Sequence, residues 1–424
     1  MVYVVCILNT VALAIYWAKY REGSLRRIYL TLFVSCYVLT YFDGVLLAAA
    51  MEHFLRIRKI TAPDSDVWKI VLVAEACLLL FLFGYWIAGP VRHAIAMRGL
   101  IEWRRNTKGM VFVSTGAFLV SVAIYMAGSD GPVLLKTGGY QNRYDANVGM
   151  GGYSLFFAVG LIACTLASLQ AVTKRQKGMA ALATIGYCAL TFAALGGYRQ
   201  LGFAALFSLG VIAMQRRDVT FSRFLVTSAV LIVITLGVAL FRYTGTAADE
   251  TGGLGGRLFI FFYDGFAPVD AFFNIVRYVN WHDVRTNVLI NQLLTPVPRF
   301  IWSDKPLIVM NAGNFYTQAV LRRTESITYS PTLLGELYLL GGTTACAIGS
   351  FISGLVLRLF DELIIRSRKK MFVAFTFSFS FVLVFNLYRE GIEVLITKFV
   401  LYGTVVAVMS LVARGLSGTL ITRS

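Results

Sequence analysis

The sequence predicts an all-α polytopic membrane protein, on three observations: its overall hydrophobicity, the spacing of its apolar runs, and the basic clusters that alternate between them. Of 424 residues, 58% are hydrophobic and 14% charged, with a mean hydropathy of +0.70. A chain of that composition cannot cover its apolar surface with polar groups and must place much of it against lipid. About eleven stretches reach or approach the roughly 20 apolar residues that carry a helix across a bilayer.

The spans are expected near 2-18, 28-51, 67-88, 110-129, 153-172, 179-197, 201-215, 224-242, 332-357, 372-388 and 392-413. The first run, Val2 to Trp17, has no basic leader and no small-residue cleavage site, and reads as a span rather than a removable signal. The stretch 201-215 is short for a crossing and is expected to be tilted, broken or continued into its flanks.

Basic residues gather at every second loop: Lys19, Arg21, Arg26 and Arg27; Arg92, Arg98, Arg104, Arg105 and Lys108; Lys174, Arg175 and Lys177; Arg216, Arg217 and Arg223; Arg366, Arg368, Lys369 and Lys370. Cytoplasmic loops carry such excess. The N-terminus is then outside and the C-terminus cytoplasmic, and the segments 52-66, 130-152, 197-200 and 243-331 face the far side, with a short turn at Arg389–Gly391. The chain divides into helices over 1-242, a large extracytoplasmic loop over 243-331, and helices with a cytoplasmic tail over 332-424. Arg56, Arg58 and Lys59 are discordant in the first outside segment; mixed with Glu52, Asp64 and Asp66, they read as a solvated or interfacial stretch.

The net charge of +17 suits loops beside anionic lipid rather than nucleic acid, since no basic-aromatic nucleic-acid motif accompanies it. Cys6, Cys36, Cys77, Cys164, Cys188 and Cys346 all lie in apolar runs without ligand spacing, which points to buried thiols rather than a metal or disulfide framework. No Walker, zincin, nucleophile-elbow or dinucleotide fingerprint occurs, so no cofactor is expected. The triplet Asp64-Ser65-Asp66 is a short acidic match to a divalent-cation site and is not taken as a metal centre.

The large loop opens with a Gly-rich stretch ending at Arg257 and continues as LFIFFYDGFAPVDAFFNIVRYVN. There aromatic residues surround Asp264, Asp270 and Arg277, and Gly265 and Pro268 interrupt the run; short interfacial helices are expected. His282 follows, and then the stiff segment LLTPVPRFIWSDKP with Arg299, Trp302 and Lys305. Glu336 stands in the first turn of the next span. A carboxylate at such a depth faces a cavity or a partner, which makes Glu336 the leading catalytic candidate. The plain alternative is a first-turn acid favoured by the helix dipole or paired with an arginine.

Arg143, Arg199, Arg257, Arg299, Arg322, Arg323 and Arg389 all fall on the side where positive charge is normally sparse. Guanidinium groups grip phosphate bidentately and stay charged, so an anionic, diphosphate-bearing lipid substrate is indicated; a local ion pair or headgroup contact is the alternative for any one of them. Asp43 and Glu75 lie inside spans and read as a proton path or as a polar pairing.

Four stretches carry a family resemblance: GGYRQLGFAALFSLG, in which Arg199 and Gly210 enclose ten residues; PVPRFIWSDKP; SPTLLGELYLLGG; and LYREG. In their order and sidedness the chain resembles the Wzy-type O-antigen or exopolysaccharide repeat-unit polymerases, relatives of the O-antigen ligases with GT-C-like architecture. In the large loop Arg323 and Gly335 enclose eleven residues, one more than the family's interval.

The resemblance implies a glycosyltransferase of the bacterial inner membrane, taking undecaprenyl-diphosphate-linked oligosaccharides as donor and acceptor. It implies Glu336, Arg199 and Arg299 as the catalytic set, and Arg143, Arg257, Lys305, Arg322, Arg323, Tyr329 and Arg389 as substrate-binding. Asp264, Asp270 and His282 are reserve bases. It also implies a chain-length-regulating co-polymerase as partner. A ligase that moves finished polymer, or another lipid-linked-sugar glycosyltransferase, is the nearest alternative; a lipid-linked oligosaccharide transporter or flippase is the alternative of another class.

Overall fold

The computed structural model describes residues 2–24, 27–61, 63–88, 107–128, 151–195, 200–216, 218–220, 253–282, 302–304, 310–323, 329–366 and 370–392, with isolated positions besides. Among these residues the chain is helical, with no strand. Among the described residues, six helices are long and apolar enough to cross a membrane: Val2–Lys19, Ile28–Leu55, Ser65–Ile87, Val111–Gly128, Lys174–Ala194 and Leu333–Glu362, the last interrupted at Gly341 and Gly342. Phe157–Gln170 and Leu201–Met214 are shorter apolar helices. The chain is a multi-pass helical membrane protein; the expected span at 224-242 lies almost wholly, and that at 392-413 for the most part, outside the described residues.

The described residues form two compact units. The first (1–96, 231–361 and 384–397) contains α1 (Val2–Ser24), α2 (Ile28–Val38), α3 (Gly44–Leu55) and α4 (Asp64–Ile87). A π-helical turn, Leu39–Asp43, joins α2 to α3 without ending the helix. Aromatic residues fill this core: Phe33 stacks on Phe81 with ring centres 3.8 Å apart, and Tyr41 meets the edge of Phe272 at 6.0 Å.

Several polar groups between these helices are paired, as apolar surroundings favour. Asn9 donates to Glu75 at 2.7 Å and Thr10 to Asp43, so the two intramembrane carboxylates hold α1 to its neighbours. Asp361 is buried and accepts the Tyr29 and Leu30 backbone N–H groups at 2.9 and 3.1 Å. It also accepts the Tyr85 hydroxyl at 2.8 Å. It thereby caps the otherwise orphaned first turn of α2.

The expected span at 332-357 is present in α12 (Leu333–Arg366) but is not one continuous helix. Gly341 and Gly342 leave helical geometry, and Gly342 takes φ +63, ψ −149, a conformation open essentially only to glycine. The short helix 333–340 folds back along 343–366, for the Cys346 thiol reaches the Leu334 carbonyl at 3.4 Å and Gly349 lies against Leu337.

The 343–366 segment crosses α4 backbone to backbone at two glycines. A Cβ on Gly354 would lie 2.1 Å from the Phe81 carbonyl oxygen, and one on Gly84 would lie 2.3 Å from that of Phe351. Small residues let membrane helices approach this closely. Gly354→Ala should therefore lower the thermal transition of the detergent-solubilised protein, by about 1–3 kcal/mol of overpacking. Gly116→Ala in the helix Thr107–Gly128, where an added Cβ meets nothing within 4 Å, should leave it unchanged or raise it; equal behaviour of the two would contradict the close crossing.

The second unit (97–230, 362–383 and 398–424) holds α5 (Thr107–Gly128), α6 (Gly151–Gln170), α7 (Lys174–Ala194) and α8 (Gln200–Gln215). Phe118, Tyr125, Phe157 and Tyr187 pack together, and the Tyr187 hydroxyl donates to the Phe157 carbonyl at 2.8 Å. Thr173 and Gln176 form a capping box at the start of α7. Arg216, one of the clustered basic residues, donates to the Ser168, Leu169 and Ala171 carbonyls at 2.6–2.8 Å and so closes the C-terminus of α6.

Candidate functional site

Two of the quoted sequence stretches meet in the first unit. α9 (Gly253–Phe266) and α10 (Asp270–Trp281) come from the large loop and are separated at Ala267–Val269, where Gly265 and Pro268 had indicated a break. α10 is strongly amphipathic and buries Phe272, Phe273, Ile275 and Val276. A further short helix, α11 (Ala312–Phe315), runs into a π-helical turn, Tyr316–Val320. Against this layer lie the first turn of α12 and the end of α13 (Lys370–Glu390). Gly335 admits the close approach, since a Cβ there would stand 2.8 Å from Ile275 Cδ1.

Glu336 is fully buried. Its Oε2 accepts the Ile392 backbone N–H at 2.5 Å. It also fills the space over Gly391, where a Cβ would lie 1.6 Å from that oxygen. Gly391 has φ +96 and ends α13, donating to the Asn386 and Leu387 carbonyls. The Thr332 backbone N–H donates to the Arg389 carbonyl at 3.1 Å, tying SPTLLGELYLLGG to LYREG a second time. A buried acid and an arginine from separate stretches are thus placed within one helical turn of each other's anchors.

Arg389 is partly buried, with its guanidinium 5.7 Å from the centre of the Phe385 ring. Nη2 donates to the Asp264 carbonyl oxygen at 3.3 Å, while Nε is buried with no hydrogen-bond partner among the described residues. An orphaned buried N–H of a permanently charged group costs free energy unless an acceptor meets it.

Lys59 pairs with the Asp264 carboxylate at 3.1 Å and lies 5.2 Å from the centre of the Tyr263 ring. The Tyr263 hydroxyl donates to Asp270 Oδ1 at 2.9 Å and accepts the Asp270 backbone N–H at 3.1 Å. Loss of water around Asp270 raises its carboxyl pKa above the ordinary aspartate value, and the nearby Lys59 charge and the Tyr263 hydrogen bond only partly oppose this. Of the reserve bases, Asp264 and Asp270 sit in this cluster. His282 is exposed, stacked on Tyr278 at 4.1 Å, with Nδ1 3.0 Å from the Tyr278 carbonyl.

Arg323 and Tyr329 form their own pair: an Nη1 donates to the Tyr329 hydroxyl at 2.7 Å and the guanidinium covers its ring at 5.0 Å. Arg322 is exposed at φ +54. Arg257 lies in α9. Arg143, Arg199, Arg299 and Lys305 fall outside the described residues.

The model of the family described as WzyE protein, O-antigen assembly polymerase, matches residues 1–423. The chain belongs to the WzyE family. No solved structure matches it. Membership makes it an O-antigen polymerase of the Wzy type, a membrane protein of polysaccharide biosynthesis whose reaction is glycosyl transfer.

In this WzyE chain the structure adds residues that sequence patterns passed over. Lys59 stood in the discordant basic stretch of the first outside segment, and its sign was the signal: it answers Asp264. Tyr41 was one aromatic in an apolar run, yet its hydroxyl accepts the Leu334 N–H at 2.9 Å, in the turn that bears Glu336. Thr332 and Gly391 lay inside quoted motifs without a role of their own.

Proposed function

We propose that this protein polymerises undecaprenyl-diphosphate-linked oligosaccharide repeat units on the outer face of the bacterial inner membrane. The observation that carries the reading is the pairing of Glu336 with the Arg389–Gly391 turn, beside a guanidinium whose buried Nε has no partner among the described residues. Glu336 takes the proton of the acceptor's non-reducing hydroxyl as that oxygen bonds to the donor's anomeric carbon. The bond from that carbon to the diphosphate oxygen breaks, and undecaprenyl diphosphate leaves with the electron pair. Arg389 stabilises the charge that develops on it, with Arg199 and Arg299 completing the catalytic set. Arg143, Arg257, Lys305, Arg322, Arg323 and Tyr329 hold diphosphate and sugar, and Asp264, Asp270 and His282 are the bases in reserve.

Pairings between distant segments support the sidedness. Lys59, Asp264 and Arg389 come from three segments assigned outside and make contact. Lys177 and Asp218, 2.6 Å apart, join two loops assigned to the cytoplasm. The N-terminus is then outside and the C-terminus cytoplasmic.

The test is the glycan profile, resolved by size, of a strain lacking the gene and of the same strain complemented. Loss of long chains with single repeat units retained, reversed by the wild-type gene, is expected. Full-length polymer accumulating on the carrier lipid would mean a ligase, and an unchanged ladder would remove the glycan reading.

A further inference from the structure

Thr332 precedes the first turn of α12 and has φ +65, which no neighbouring glycine explains. For a β-branched residue this is a strained conformation, and such strain persists only where surrounding contacts over-determine it. The contacts here are four. The Thr332 N–H donates to the Arg389 carbonyl, and the Glu336 N–H donates to the Thr332 carbonyl at 3.0 Å. Oγ1 accepts the Gly335 N–H at 3.3 Å, and the Tyr41 hydroxyl is its side-chain neighbour. Thr332 is fully buried. Its backbone therefore touches both anchors of the proposed site, one on each side of its own α-carbon, and its hydroxyl bonds the Gly335 N–H in the turn that bears Glu336.

We propose that Thr332 is a positioning residue, whose hydroxyl sets the spacing between the Glu336 carboxylate and the Arg389 turn. The proposal rests on the assignment of Glu336 and Arg389 to glycosyl transfer. A threonine kept merely to cap the helix would be replaced by glycine at little cost, because glycine is nearly as good at an N-cap and adopts positive φ freely. A positioning hydroxyl behaves differently: glycine relieves the strain yet frees the torsion, and small misplacements of reacting groups cost of order 10²-fold in rate.

The experiment complements the deletion strain with wild type, Thr332→Gly, Thr332→Ser, Tyr41→Phe and Glu336→Gln. It reads chain elongation, membrane level and the thermal transition in detergent for each. Thr332→Gly is expected to melt no lower than wild type while elongation falls roughly 10²-fold, and Thr332→Ser, which keeps the oxygen, is expected to elongate normally. Elongation by Thr332→Gly at the wild-type rate while Glu336→Gln is inactive overturns the positioning role and leaves the proposed function standing. Failure of Thr332→Ser equal to that of Thr332→Gly also overturns it. Should Thr332→Gly not accumulate, Tyr41→Phe decides: reduced elongation at normal level supports the role, and unchanged elongation overturns it. Wild-type elongation by Glu336→Gln removes the proposed function itself, and this inference with it.

Discussion

Replacing Glu336 by glutamine is expected to abolish long glycan chains, with elongation reduced by something like 10²–10⁴-fold, the contribution of a positioned general base. The substitution is chosen for its shape. Glutamine matches glutamate in size, and its amide oxygen accepts the Ile392 N–H that Oε2 accepts now. The buried site would thus remain filled and its hydrogen bond intact. What disappears is the capacity to take a proton. A carboxylate that served only as a peg between α12 and the residues after α13 would be replaced by glutamine without effect on the ladder, so wild-type elongation by a normally accumulating Glu336→Gln protein would dismiss the base. The full burial of Glu336 does not argue against the role, because catalytic hydrogen bonds commonly assemble only when substrate is present.

The membrane character of the chain was legible because it rests on sums. Apolar length and loop charge add over tens of residues, and no single contact alters them. Most expected spans accordingly coincide with helices: 67-88 with Asp64–Ile87, 110-129 with Thr107–Gly128, 372-388 with Lys370–Glu390. The break at Gly341–Gly342 escaped for the same reason, since hydropathy averages across a glycine pair whose torsions turn the chain. The π-helical turn at Leu39–Asp43 has no sequence pattern, yet it is the element that carries both Asp43, paired to Thr10, and Tyr41, paired to the Leu334 N–H.

The site divides along a similar line. Glu336 and Arg389 were legible one at a time, as charges where lipid or far-side position makes charge costly. Their association was not, because 52 residues separate them and only tertiary packing brings Gly391 under the carboxylate. Lys59 shows the converse. Its sign contradicted the sidedness rule; Arg56 and Arg58 beside it are exposed, as a solvated stretch requires, while Lys59 is partly buried and pairs in the cluster around Asp264.

The second large effect is expected at Gly391. In Gly391→Ala the new Cβ would stand 1.6 Å from Glu336 Oε2, far inside contact distance, at a backbone φ of +96. The left-handed conformation alone costs alanine about 1–2 kcal/mol, and relief of the overlap requires Glu336 to leave the Ile392 N–H. Elongation should be lost, together with a lower thermal transition and reduced membrane level. Shortening the acid separates the two causes: Glu336→Asp withdraws the carboxylate by about 1.5 Å, one C–C bond, which opens most of the space the methyl group needs. The double variant Gly391→Ala with Glu336→Asp should therefore recover much of the membrane level lost in Gly391→Ala, while elongation stays low because the base is now displaced from the acceptor. Recovery of both would mean that the acid needs no fixed position. Recovery of neither would place the whole cost in the backbone of the turn, and wild-type behaviour of Gly391→Ala would refute the contact between the two motifs.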